Sequence, residues 1–330
     1  QFTLEEATLW VQDLYGVKGT LNPLPGEVDL NYRVKTPQGN DYIFKVSAPG
    51  SSPELMDMQT ALLEHVASSN PSLTLPRVIP LKTGERMHVY AANGEASRTL
   101  RMLSWVPGRV WAEVRPHSPA LLESLGKLCG QVSFALKEFD HPSAHRFIKW
   151  DPLQLPKVAV EFERLIPDVQ TDKLKSGASK INLMELTLDL FRSKVAPLSS
   201  SLRKSVNHND ANDYNILVSE DKAKPVAKCL VDYGDAVYTY TINELAIAIA
   251  YAAMGQKDPL SAACEVVKGY HAVFPLEEKE CEVLFPLILA RLAISVYCAA
   301  ENQLAHPDNL YLQISNSAAW DLLAWFWFLP

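Results

Sequence analysis

Long basic tracts are missing from this chain: no run of Lys or Arg exceeds two residues, and net charge is −7 with a pI near 5.7. A protein whose main partner is nucleic acid needs a basic face, so that class is excluded. A mild acidic excess suits a cationic small molecule better. Long apolar runs are missing too. Leu284–Cys298 and Ala318–Pro330 are interrupted by Arg291 and Asp321, and both are shorter than the ~20 residues of a bilayer crossing, so no membrane span is expected. Cysteine is sparse and odd in number, five residues at 129, 229, 264, 281 and 298, with no Cys-x-x-Cys or Cys/His metal spacing. That excludes a disulfide framework and fits free thiols in a reducing, cytoplasmic setting. Glu5, Glu6 and Asp13 break up the first segment, so no secretory signal is expected there. The Gln at residue 1 and the apolar end, Trp325 to Pro330, are compatible with one domain of a longer polypeptide.

What is present is an ordinary globular composition, 48% hydrophobic and 21% charged over 330 residues. That length suits two lobes of roughly 100 and 200 residues. Thr3-Leu4-Glu5-Glu6 is a capping box that opens an amphipathic helix ending near Gly16. Strand-type runs follow at Val17–Leu24, Val28–Thr36 and Tyr42–Ala48, the last two joined by a Pro37-Gln38-Gly39-Asn40 turn. Pro53–Ala67 reads as a helix with Leu55, Met58, Leu62, Leu63 and Val66 on one face. Met87–Ala91 and Thr99–Trp105 are strand candidates around Asn93-Gly94, a hairpin signal. Val106-Pro107-Gly108 then breaks the pattern and marks a hinge, with one lobe at 1–105 and the other at 106–330. Beyond it the period becomes helical: Pro119–Phe139, Leu155–Leu165, Ile181–Leu202, Ile242–Met254, Pro259–Val273, Glu277–Ala300 and Ser315–Phe328.

The densest chemistry lies at His208-Asn209-Asp210-Ala211-Asn212-Asp213-Tyr214-Asn215 and, seventeen residues after Asn215, at Asp232-Tyr233-Gly234-Asp235. Apolar β-prone runs, Ile216–Val218 and Cys229–Val231, stand between them. Loop, short hairpin and second loop would bring Asp210, Asn215 and Asp232 into one cleft. Phosphoryl transfer from a nucleotide needs these groups: an Asp to orient the attacking hydroxyl and accept its proton, and an Asn with a second Asp to hold Mg²⁺ on the phosphates. Turn-building Asp and Asn are the plain alternative. His208 would brace the loop by hydrogen bonds and Asp235 would support the metal loop.

These residues resemble the catalytic motif and metal-binding Asp of the aminoglycoside phosphotransferase and choline kinase-like family, and within it the hydroxylysine kinase-like branch. The family usually has Gly at the place of Asn209 and Phe at the place of Tyr233. The resemblance implies an α+β, protein-kinase-like two-lobed fold with a small β-rich nucleotide-binding N-lobe and a larger helical C-lobe that carries catalysis and acceptor binding. It implies a Mg²⁺-dependent kinase using ATP or GTP on a hydroxyl of a small amine or amino acid, with 5-hydroxylysine the leading acceptor. Aminoglycoside, homoserine, choline and ethanolamine kinases are alternatives, as is a nucleotide-binding regulatory module without turnover. Lys45, on the third strand, would then neutralise the α- and β-phosphates; a solvent-facing strand Lys is the plain alternative. The loop Pro25–Asn31 has a single glycine, Gly26, and would lie over the phosphates with help from Asn31. Gln59 stands where a Lys-pairing Glu is expected, with Glu54 or Glu64 as substitutes. Backbone groups of Leu103–Val106, Trp105 included, would meet the purine.

For the acceptor, Arg291 interrupts an otherwise apolar helix, where a charge must be paired. Two readings stay open: a grip on a substrate carboxylate, or an internal pair with an acid such as Asp151 or Glu301. Trp150-Asp151 and Trp111 could line a pocket for a cationic amine, although Trp is more often core, and Asp213 joins these acceptor-side candidates.

Overall fold

In the computed structural model, the described residues are 2–26, 29–91, 96–158, 162, 164–165, 172–305 and 316–328. The chain divides into two compact units, Gln1–Pro107 with His141–Ala144, and Gly108–Asp140 with His145–Pro330.

The first unit is a six-stranded antiparallel sheet with two helices. Its strands are β1 (Thr20–Leu24), β2 (Leu30–Lys35), β3 (Tyr42–Val46), β4 (Val78–Ile79), β5 (His88–Tyr90) and β6 (Arg98–Ser104), ordered β1-β2-β3-β6-β4 with β5 also on β6. The sequence pattern anticipates five of these. The two-residue β4 is too short to alternate and shows no pattern. The turn at Asn93-Gly94 lies outside the described residues. Helix α1 (Leu4–Tyr15) starts at the Thr3/Glu6 capping box and stops at Gly16, which takes the left-handed φ of 68° that closes a helix cheaply only without a β-carbon. Ala7, Val11 and Tyr15 of α1 pack on Tyr32, Val34, Phe44, Val46, Leu100 and Met102 of the sheet. Each large side chain buried this way contributes about 1.5–3 kcal/mol.

Alternation along β3 sends Lys45 to the opposite face from Phe44 and Val46. Lys45 lies directly across from Asn31 of β2 and from Arg101 of β6, so these three form one row. Helix α2 (Pro53–Ser69), capped by Ser52, reaches this row through Gln59, which accepts a hydrogen bond from Arg101.

The second unit contains helices α3 (Pro119–Leu136), α4 (Leu155–Val158), α5 (Lys180–Leu190), α6 (Asn243–Ala253), α7 (Pro259–Val273), α8 (Glu278–Ala305) and α9 (Asn316–Trp327), with strands β7 (Arg109–Val110), β8 (Lys204–Asn207), β9 (Ile216–Val218), β10 (Ala227–Leu230) and β11 (Val237–Tyr240). Every residue of α6 is buried, which explains its lack of an amphipathic stripe. Helices α3 and α7 touch backbone to backbone, because a β-carbon on Gly126 or Gly269 would collide with a carbonyl of the facing helix.

Two helical expectations need correction. The run 181–202 is not one helix: α5 ends at Leu190, one π-turn covers Phe191–Val195 and a short 3-10 turn Ala196–Leu198. Pro197 cannot donate to an α-helical ladder. The apolar stretch around Arg291 is longer than its local composition suggests. Helix α8 runs 28 residues and by length and composition alone could cross a bilayer, but 89% of its apolar window is buried inside the protein. Its contacts with α5, α6 and α9 identify it as a core helix.

Two ribbons tie down the important loops. In the first, β9 pairs with β10, with Ile216 opposite Leu230. In the second, β8 pairs with β11, with Asn207 opposite Val237. The segments 208–215 and 231–236 are therefore clamped side by side at both ends.

Candidate active site

His208 is fully buried and ties the two loops together. Its Nδ1 accepts the Asp210 amide at 3.2 Å while its Nε2 meets the Val231 carbonyl at 3.0 Å. An acceptor on one nitrogen and a carbonyl on the other require the neutral ring with the proton on Nε2. The Tyr233 ring stands edge-on against it, 4.5 Å between centroids.

Asn209 takes a left-handed φ of 66°. Asn is the residue besides Gly that tolerates this best, so this chain keeps the backbone turn without glycine. The Asn209 amide donates to Glu244 at the start of α6, 3.1 Å away. Glu244 is wholly buried; burial pushes its carboxyl up, opposed by the hydrogen-bonding backbone amides of Asn209 and His208.

Asp210 is the focus of the loop. Its Oδ2 accepts from Asn212 Nδ2 at 2.8 Å and Asn215 Nδ2 at 2.7 Å, and its Oδ1 accepts from Arg291 Nη2 at 2.8 Å. Its side chain is still 18% exposed, against 1% for Arg291. Asn212 also caps the amides of Tyr214 and Asn215. Because a carboxylate only accepts, Asn215 must turn its nitrogen to Asp210 and its oxygen elsewhere. The backbone carbonyl of Asn215 accepts from the Val231 amide, one residue before Asp232, at 2.9 Å.

Asp232 has φ 60° and accepts the Gly234 amide at 3.3 Å. Arg146 fastens this loop by donating to the carbonyls of Gly234 at 2.6 Å and Ala236 at 3.0 Å. Asp235 is pushed up to about 6 by burial, then by the neighbouring Asp210 charge; Arg291 and Arg146 pull the other way. Among the described residues no group of three His, Cys, Asp or Glu could enclose a metal. The donor set instead fits Mg²⁺, which takes one or two protein oxygens and keeps water and phosphate for the rest.

Several expectations about the acceptor side change. Arg291 pairs with neither Asp151 nor Glu301. It donates to the Trp150 carbonyl, to Asp210 and, at 3.2 Å, to the Tyr251 hydroxyl. Asp151 is 2% exposed and its Oδ1 accepts from the Leu153 amide, Thr239 and Asn243, so that oxygen is engaged internally. Glu301 pairs with Lys149 and Tyr297. Trp111 is fully buried against His117, 4.2 Å between centroids, a core position and not a pocket wall. Asp213 anchors Ala112 through its carbonyl, and burial raises its carboxyl.

In the first unit, the row Asn31, Lys45, Arg101 places one polar and two cationic side chains together, each less than 10% exposed. Among the described residues, the Asn31 Oδ1 has no hydrogen-bond partner. A β-carbon on Gly26 would fall 2.6 Å from Asn31 Nδ2 and from the Asp29 carbonyl, so only Gly lets this loop fold onto Asn31. Gln59 turns to Arg101, Glu54 to Ser52 and Glu64 to Arg86. Leu103 is paired with Ile43 and Val78, and the Trp105 amide already donates to Asp41 at 3.0 Å. Their amides are engaged by the sheet, and the Trp105 ring stacks under Arg33 at 4.2 Å. Arg101, Glu244, Asn212 and Arg146 escape sequence reading. Only the strand spacing from Lys45 could have flagged Arg101.

Fold and paired loops together define a phosphotransferase of the protein-kinase-like class that acts on an alcohol group. Residues 20–277 match the phosphotransferase enzyme family, and the chain belongs to it. Curated relatives include hydroxylysine kinases of Mus musculus, 29% identical over 97% of this chain and 88% of the relative, and of Danio rerio, 27% identical over 96% and 89%. Among solved structures, a microcompartment-associated aminopropanol kinase superposes with TM-score 0.72 at 16% identity, covering 98% of both chains. An amicoumacin kinase solved with AMP-PNP and Ca²⁺ gives 0.70 at 16%, covering 98% of this chain and 91% of its own. The chain is thus a small-molecule kinase.

Proposed function

We propose that this kinase transfers the γ-phosphoryl group of ATP or GTP to the side-chain hydroxyl of a small hydroxylated amino acid, with 5-hydroxylysine the best-supported acceptor. The observation that carries the reading is the partly exposed Asp210 carboxylate, oriented by Arg291, Asn212 and Asn215. It receives the acceptor hydroxyl as that oxygen attacks the γ-phosphorus. The bond from the γ-phosphorus to the bridging β-phosphate oxygen breaks, ADP or GDP leaves, and the hydroxyl proton passes to Asp210. With a loose transition state, orientation matters more than base strength. Asn215 and Asp232 would hold Mg²⁺, which would supply the positive charge that offsets the charge developing on the phosphates. Lys45 and Asn31 serve the phosphates, and Asp213 is the remaining acceptor-side acid. The choice of hydroxylysine is supported by relatives at 27–29% identity along nearly the whole chain, and a reducing compartment by five free cysteines.

An ADP- and GDP-release assay over 5-hydroxylysine, homoserine, choline, ethanolamine and an aminoglycoside tests this. The highest kcat/KM is expected for 5-hydroxylysine. A higher value for another acceptor, or none above hydrolysis by water, would overturn the assignment.

A further inference from the structure

We propose that Arg291 is a positioning residue for phosphoryl transfer and that it acts through Asp210; the inference rests on the proposed role of Asp210. A carboxylate offers about four lone-pair directions. Two donors, Asn212 and Asn215, occupy Oδ2, and Arg291 occupies one direction on Oδ1. One direction on Oδ1 remains for the acceptor hydroxyl. Arg291 therefore decides which way the reactive oxygen faces.

The guanidinium is built to hold still. Nη1 donates to the Trp150 carbonyl, and Nη2 is shared between Asp210 and Tyr251. Its carbon lies 5.2 Å from the Trp150 ring centroid and 5.4 Å from that of Tyr251. Burial opposes its charge, but Tyr251, Asp210 and Asp235 more than offset this and keep it cationic. At 1% exposure, with both terminal nitrogens engaged, it is not presented as a clamp for a substrate carboxylate. A rigid planar fork suits this task in a way that a flexible ammonium does not.

The test compares wild type, Arg291→Met, Arg291→Lys, Asp210→Asn and the Asp210→Asn/Arg291→Met double variant at saturating ATP and Mg²⁺. The readout is the best acceptor of the panel above, or ATP hydrolysis by water where none exceeds it, beside nucleotide Kd and a thermal melt. Arg291→Met is expected to lower kcat ~10- to 100-fold with acceptor KM and nucleotide Kd within about threefold. Arg291→Lys should recover part of the rate. The double variant should be no slower than Asp210→Asn alone, because the two groups act as one unit. Losses that multiply across the double variant, or a loss confined to acceptor KM, would overturn the proposal. Should Arg291→Met fail to fold, Arg291→Lys decides: reduced kcat at unchanged KM supports the role, and full kcat overturns it. Wild-type turnover in Asp210→Asn would instead overturn the role of Asp210, so the two failures are distinguishable.

Discussion

Arg291 Nη2 lies 2.8 Å from Asp210 Oδ1, joining the middle of the core helix α8 to the motif loop across 81 residues of sequence. The one charge in the apolar centre of α8 is thus matched to an acid of the motif loop. Burying either partner alone would cost several kcal/mol, so the pair also fixes the seat of the loop on the helix.

Removing the charge of Asp210 without changing its size tests its role. Asp210→Asn should lower kcat about 10²- to 10⁴-fold with little effect on nucleotide affinity. Asp232→Ala should instead abolish Mg²⁺-dependent nucleotide binding, measured by calorimetry with and without EDTA. Equal nucleotide affinity in both variants would undo the division of labour between the two loops.

Lys45→Met keeps the strand packing and removes the ammonium. A rise in nucleotide KM or a fall in kcat worth about 1 kcal/mol or more is expected. Unchanged steady-state constants would reduce Lys45 to a structural residue of β3.

The left-handed turn at Asn209 gives a stability prediction. Asn209→Gly removes a β-carbon from φ 66° and should leave the melting temperature nearly unchanged. Asn209→Ala retains the β-carbon and loses the tolerance of Asn, so it should cost about 1 kcal/mol. Equal melting of the two variants would show that the backbone is not under this constraint.

Asp235 makes stability depend on pH. Its folded pKa is raised to about 6 from an ordinary 3.8, so the folded protein holds a proton that the unfolded chain has released. The stabilisation from that protonated carboxyl is complete below about pH 4 and lost as pH rises through about 6. Asp210, Asp232, Arg146 and Arg291 share the same field. Asp235→Asn cannot ionise, so its melting temperature relative to wild type should rise between pH 4 and 6 and level off above, in metal-free buffer. A flat difference across that range would contradict the buried, charge-crowded placement.

Much of the site was legible because its chemistry is local. Asp210, Asn215 and Asp232 sit in short loops whose spacing matters, and the apolar runs 216–218 and 229–231 announced the hairpin between them. The face of Lys45 followed from strand alternation, whereas its neighbour Asn31 is set by the β2–β3 register. The illegible parts are tertiary. The partner of Arg291 depends on how α8 packs, and Asp151 looked like a pocket acid because sequence does not show Thr239 and Asn243 closing on it. Pro197 was a local signal that α5 must end, yet the apolar period continued past it.

The central claim, transfer to the hydroxyl of 5-hydroxylysine with Asp210 orienting it, is tested most directly by phosphorus NMR of the product. Protein, ATP, Mg²⁺ and 5-hydroxylysine should give a new phosphomonoester split into a doublet by the single proton on the carbinol carbon, and Asp210→Asn should give almost none at the same time point. ADP with inorganic phosphate and no phosphomonoester doublet, or an equal doublet from Asp210→Asn, would contradict the account.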